Sequence, residues 1–193
     1  MDRRVEDNIL SLMRTNDSTA LIVIDAQNGF VNEHSEHVLD PICDLLDRWT
    51  GHDAGKLTIF TRFHNDIGSN WDTLIHWRRL RTSPETDLHP RITPYAKPPA
   101  LIEDKRSYTC LTPNIKDILA QNTIDTVLLA GIATDSCVLM TAVDIFQAGL
   151  KPMVLADCCA SHAGPEIHQM GLTLISRNVG SDQLIESGDL ELE

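Results

Sequence analysis

The sequence predicts a three-layer α/β/α sandwich around a mainly parallel, Rossmann-like sheet of about six strands in the order 3-2-1-4-5-6. Three observations lead there. Strand-length segments such as Ala20 to Ile24 and Thr126 to Ala130 are apolar throughout, as strands buried on both faces are. Segments with helical apolar spacing alternate with them. The reactive residues Asp25, Lys105, Cys137 and Asp157 fall at or just beyond the expected strand ends, where open α/β sheets bind ligands.

Residues 1–18 read as a polar N-terminal extension, with a short amphipathic piece around Ile9, Leu10 and Met13. One domain is expected over 19–193. Its first strand runs from about Ala20 to Asp25. A helix follows from about Val38 to Trp49, with Ile42, Leu45, Leu46 and Trp49 on one face. Lys56 to Phe63 reads as the second strand. Residues 64–100 are long and irregular, with Trp71, Trp77, several prolines and an arginine cluster at Arg78, Arg79 and Arg81. Such segments often cover sites. A weak strand is expected from Ala100 to about Asp104, and a helix from Pro113 to about Ala120. The strand Thr126–Ile132 follows, interrupted by Gly131. Val138, Ala142, Ile145 and Phe146 then take helical spacing, with Thr134 or Asp135 as a natural N-cap. A strand from Pro152 to Ala156, a helix from Pro165 to about Arg177 and one short element after Gly180 complete the pattern.

Composition narrows the class. A chain of 193 residues that is 42% hydrophobic can bury a large aliphatic core. The formal charge of −12 disfavours non-specific association with nucleic acid or anionic membranes. No run of about 18 apolar residues exists, so no membrane span is expected. Five cysteines, an odd count without a small secreted framework, suit a reduced, cytoplasmic protein.

Cys137 is the most telling residue. It would lie in the first turn of a helix that starts at the carboxyl end of a strand, where free N–H groups and the helix dipole favour a thiolate. A small buried helix residue would satisfy the same segment. Asp25 and Lys105, taken singly, suit a turn residue and a solvated charge. Cys43, Cys158 and Cys159 suit packing, and Cys110 follows the lysine segment. His162 and His168 offer partners for a Cys-His enzyme on chain order alone.

Three motifs together resemble the isochorismatase-like cysteine hydrolases, which include nicotinamidases, N-carbamoylsarcosine amidases and isochorismatases. They are Leu21-Ile-Val-Ile-Asp25-Ala-Gln27-Asn-Gly-Phe30, Lys105-Arg-Ser-Tyr108-Thr and Gly131-Ile-Ala-Thr134-Asp-Ser-Cys137-Val. Val154-Leu-Ala-Asp157-Cys-Cys-Ala-Ser161 fits the strand that follows in that family. The resemblance implies a catalytic triad of Asp25, Lys105 and Cys137, an oxyanion hole from the backbone N–H groups of Ala133 and Cys137, and a cis peptide at Ile132–Ala133. It also suggests a pocket drawn from Gln27, Phe30, Arg62, His64, Trp77, Tyr108 and Thr134.

One departure matters. Nicotinamidases of this family hold a metal through an Asp-aromatic-His motif, and here the aligned residues are Arg62-Phe63-His64. No metal and no other cofactor is therefore expected. Arg62 could meet a substrate carboxylate or a local acid. The resemblance implies a metal-independent hydrolase of a small amide or ureido C–N bond acting through a thioester. Alternatives are a vinyl-ether hydrolase and a non-catalytic oligomer of the same fold. The partner is a small molecule, and a homo-oligomer (dimer or tetramer) is expected, since Trp71 and Trp77 among arginines resemble an interface.

Overall fold

The computed structural model describes residues 13–15, 17–52 and 57–192. A six-stranded, all-parallel sheet forms the middle layer, built from β2 (Thr19–Ile24), β3 (Thr58–Phe63), β4 (Leu101–Lys105), β5 (Thr126–Ile132), β6 (Lys151–Ala160) and β7 (Leu184–Ile185). Their spatial order is β4-β3-β2-β5-β6-β7. Counted within this sheet alone, that is the expected 3-2-1-4-5-6. A separate two-stranded parallel ladder pairs β1 (Met13–Thr15) with β8 (Leu190–Leu192). Met13 thus starts a strand, while Ile9 and Leu10 lie outside the described residues. Among the described residues no helix is long and apolar enough to cross a membrane.

The central strands are apolar because both of their faces are covered. In β2, Leu21 and Val23 pack with α1 (Leu39–His52), whose Ile42, Leu45, Leu46 and Trp49 point inward. The alternate residues Ala20, Ile22 and Ile24 join a second core under α3 (Pro113–Gln121), α4 (Leu139–Gln147) and α5 (Pro165–Val179). Alternation of side chains along a strand produces this division. The Thr112 hydroxyl caps α3 by accepting from the Ile115 N–H at 3.1 Å, with Pro113 in the first turn.

Residues 64–100 hold only one short helix, α2 (Asn70–Thr73), but are well anchored. Leu80, Leu88 and Ile92 sit in the core beside α1. The Asn65 side-chain amide donates to the Trp77 and Arg79 carbonyls at 2.8 and 3.0 Å. Gln27 fastens the segment to the sheet: its Nε2 donates to the Phe63 and Thr86 carbonyls, and its Oε1 accepts from the Phe63 N–H at 2.7 Å.

Two expectations at strand and helix ends need correction. Strand β6 does not stop at Ala156 but continues to Ala160 past a register shift against β5. Cys158 and Cys159 are therefore buried within it, and Asp157 is not at a strand end. Asp157 instead accepts from the Ser187 N–H at 2.8 Å and the Ser187 hydroxyl at 2.6 Å, holding the C-terminal tail. After β5, neither Thr134 nor Asp135 caps a helix. Ala133 is the extended residue, and 134–138 form a wide turn in which the Val138 N–H donates to the Ala133 carbonyl at 3.1 Å, before α4 starts at Leu139. Such a single π turn is an insertion that often marks functional sites.

Gly131 explains how β5 comes so close to β2. It adopts φ +127°, and a Cβ there would lie 2.1 Å from the Ile24 carbonyl oxygen. Alanine would suffer both a disallowed backbone and a backbone clash. Gly131→Ala is expected to lower unfolding stability by roughly 3 kcal/mol or more in urea denaturation. A loss under about 0.5 kcal/mol would contradict this close approach.

Candidate active site

Three strand ends bring Asp25, Lys105 and Cys137 together at the carboxyl edge of the sheet. Asp25 directly follows β2 and has φ +47°, a left-handed backbone that aspartate tolerates better than most residues. Lys105 is the last residue of β4, and the wide turn after β5 carries Cys137. Lys105 Nζ lies 2.6 Å from Asp25 Oδ2, with both side chains fully buried. The same ammonium lies 3.6 Å from Cys137 Sγ. It also donates to the Ser107 and Tyr108 carbonyls at 2.9 and 3.1 Å. Asp25 Oδ1 accepts from the Thr61 hydroxyl at 2.7 Å, so each carboxylate oxygen has a partner. Thr141 steadies the thiol from below by donating to the Cys137 carbonyl at 2.6 Å.

The electrostatics differ from a simple helix-end thiolate. Burial, then the Asp25 charge, pushes the Cys137 thiol well above its ordinary value of 9.0, and Lys105 only partly opposes them. Burial alone would lower the Lys105 ammonium, but the Asp25 carboxylate outweighs it and raises Lys105 above its usual value. The resting cysteine is a neutral thiol, close to the charge of a carboxylate that can take its proton. Burial likewise pushes neighbouring Cys110 up to about 11.

Above the thiol opens a cavity of about 370 Å³. Phe30, Trp77 and Tyr108 line it, as the sequence suggested, and so do Phe63, Trp71, Ile75, Asp135, Ser136 and His162. Phe30 stacks on Trp77 with ring centroids 6.1 Å apart, and Trp71 meets Tyr108 edge-on at 5.3 Å. The two tryptophans, both half-buried, form part of this wall. His162 approaches the Phe30 ring at 5.3 Å, a position only the folded chain reveals.

The other four suggested pocket residues do not line the cavity. Gln27 is buried and engaged as the clasp described above. Arg62 forms a two-pronged pair with Asp104 at 2.7 and 2.9 Å, and His64 Nε2 meets the same carboxylate at 3.1 Å. The alternation of β3 places Arg62 opposite to its cavity-facing neighbour Phe63. Thr134 is buried, and its hydroxyl bonds His168 Nδ1 at 2.8 Å.

These contacts also answer the metal question in terms of residues. Arg62 occupies the place of an acidic ligand, and His64 is already bonded to Asp104. Among the described residues, no three His, Cys, Asp or Glu side chains assemble into a metal-binding group. The residues present do not fit a metal centre. The Ile132–Ala133 peptide is cis; Ala133 directly precedes the wide turn and Cys137 lies within it.

Comparison with known proteins gives a consistent setting. The family model for the isochorismatase domain matches residues 19–182. A protein named nicotinamidase from Acinetobacter baylyi is 30% identical over 210 residues, covering 86% of this chain and 97% of its own. Isochorismatase domain-containing protein 2 of Xenopus laevis is 33% identical over a shorter stretch, 31% of this chain and 29% of that protein. Among solved structures, nicotinamidase from Bacillus subtilis superposes with a TM-score of 0.77 at 24% identity, covering 88% of this chain and 99% of that one. N-carbamoylsarcosine amidase from Thermoplasma acidophilum gives 0.77 at 20% identity, covering 90% and 99%. At these identities the superpositions establish the shared fold.

A raised thiol pKa leaves little thiolate at neutral pH, and below that pKa each unit of rising pH multiplies the fraction about tenfold. Alkylation of Cys137 by iodoacetamide should therefore keep accelerating past pH 9, as peptide mapping of the labelled protein would show. A rate that levels off below pH 8 would mean a thiolate formed in advance.

Proposed function

The chain belongs to the isochorismatase family of hydrolases, and we propose that it hydrolyses the C–N bond of a small amide through a thioester on Cys137. The observation that carries this reading is the buried Lys105 ammonium set between the Asp25 carboxylate and the Cys137 thiol, at 2.6 and 3.6 Å. The similarity to a nicotinamidase over 86% of the chain supports an amide as the bond attacked.

Each group has a role that its surroundings suit. As sulfur attacks the substrate carbonyl carbon, Asp25 takes the thiol proton. Lys105 pairs with that carboxylate at 2.6 Å and stabilises the sulfur as charge develops on it. The backbone N–H groups of Ala133 and Cys137 receive the carbonyl oxygen as it becomes an oxyanion. Collapse of the tetrahedral intermediate breaks the C–N bond, and Asp25 returns its proton to the departing nitrogen. A water molecule then attacks the thioester carbon and gives its proton to Asp25. The C–S bond breaks, the proton goes back to sulfur, and the products are a carboxylic acid and ammonia or an amine. No step requires a metal, in keeping with the pairing of Arg62 and His64 to Asp104.

Exchange of one small turn residue for another should leave the fold intact while removing the nucleophile. Cys137→Ser and Cys137→Ala should therefore lower kcat for amide hydrolysis by about 10⁴-fold or more, with an unchanged melting transition. Vinyl-ether hydrolysis would instead show as retained rate in these variants and loss of rate in Asp25→Asn. Prolonged treatment with a chelator should leave amide turnover unaltered; loss of activity restored by an added divalent ion would overturn the metal-free assignment.

A further inference from the structure

The cavity above Cys137 has an unusual balance of chemistry. Five of the chain's nine aromatic side chains line it: Phe30, Phe63, Trp71, Trp77 and Tyr108. Asp135 also lines it, and its carboxylate Oδ1 is buried beside it without a hydrogen-bond partner. Among the described residues, no lysine or arginine lines the cavity to balance it. Lys105 is spent on Asp25 and on two backbone carbonyls beneath the thiol. Arg62 is held by Asp104, Arg106 by Asp66, Arg78 and Arg81 by Asp72, and Arg79 by Glu85. None of these arginines lines the cavity. His162 does, but burial lowers its pKa from 6.5, so it is neutral at pH 7.

An aromatic wall attracts cations through the negative faces of its rings, Trp most strongly. A carboxylate in a partly closed cavity attracts them further and repels anions. An anionic substrate would have to give up its water for a wall that offers no counter-charge. We infer that the substrate carries a cationic group, an ammonium or quaternary ammonium, which sits among Trp77, Phe30 and Asp135 while its amide carbonyl reaches Cys137. The assignment of the reacting bond rests on the hydrolase reading above; the charge preference of the cavity does not. A volume near 370 Å³ admits a compact molecule of this kind.

Thiol reagents that differ in charge test the cavity directly. Cys137 is labelled with the trimethylammonium ethyl, methyl and sulfonatoethyl methanethiosulfonates, each rate is divided by the reagent's rate with 2-mercaptoethanol, and mass mapping confirms the site. Salt at about 0.5 M suppresses the long-range field of the −12 chain. The cationic reagent should label at least ~10-fold faster than the anionic one after this correction. In Asp135→Asn, and in Trp77→Leu as a second variant, that ratio should fall to about 2. Equal or faster labelling by the sulfonate would overturn the proposal. So would a cationic preference that survives both substitutions, because its origin would then lie outside the cavity.

The same order should appear in turnover. 4-(Trimethylammonio)butanamide should exceed its uncharged isostere 5,5-dimethylhexanamide in kcat/KM, and the anion 4-carbamoylbutanoate should be slowest. Hydrolysis led by the anion would overturn the charge assignment. Turnover of none of the three, or of any neutral amide, would count against the hydrolase reading, while the labelling series would still decide the charge preference.

Discussion

The site depends on one buried ion pair. Asp25 and Lys105 end strands that are not neighbours, with β3 lying between them, and their charges meet at 2.6 Å without exposure to water. Removing two charges from water costs several kcal/mol per ion unless the remaining hydrogen-bonding capacity is used. Here it is. Thr61, from the intervening strand, serves the second carboxylate oxygen, and the carbonyls of Ser107 and Tyr108 take the remaining ammonium protons. The loop after β4 is thereby wrapped around the lysine, and Tyr108 is delivered to the cavity wall. Loss of either partner would strand the other charge in the interior, so chemistry and local folding share this interaction.

The thiol is arranged around that pair rather than beside a free helix end. Its proton is retained by burial and by the adjacent carboxylate, and Lys105 offers a longer contact of 3.6 Å. In the proposed reaction such a cysteine stays quiet until a carbonyl carbon is presented. The base is then already in place, and the developing charge on sulfur meets an ammonium fixed in position. Stability of the resting thiol and readiness for reaction thus come from the same neighbours.

Much of this was legible in the sequence because parallel sheets place ligands at carboxyl strand ends, and uninterrupted apolar runs reveal such strands. Asp25, Lys105 and Cys137 were found that way. The same logic failed for Asp157, because β6 runs three residues beyond it and its carboxylate meets Ser187 instead. Arg62, His64 and Gln27 were drawn toward the pocket by their sequence neighbours, but alternation and paired bonding turn them elsewhere. Asp135 and Ser136 stand beside Cys137 in its motif, but only the wide turn brings them to the cavity wall, and His162 reaches it from the chain just beyond β6. Trp71 was visible as an aromatic in a long loop, but whether it faces a partner or a cavity depends on contacts with Phe63 and Tyr108 that no local pattern encodes.

The Gln27 clasp has a consequence for how molecules come and go. Its amide holds both the end of β3 and the Thr86 carbonyl, with the side chain wholly enclosed. The wall that carries Trp77 therefore cannot swing outward as a hinged flap without breaking enclosed bonds on the strand that leads to the chemistry. Passage is left to individual side chains at the rim, of which Ile75 is 60% exposed. Rotamer changes of that kind occur in picoseconds to nanoseconds. Entry and departure should then follow fast side-chain motion at the rim, a turnstile rather than a door.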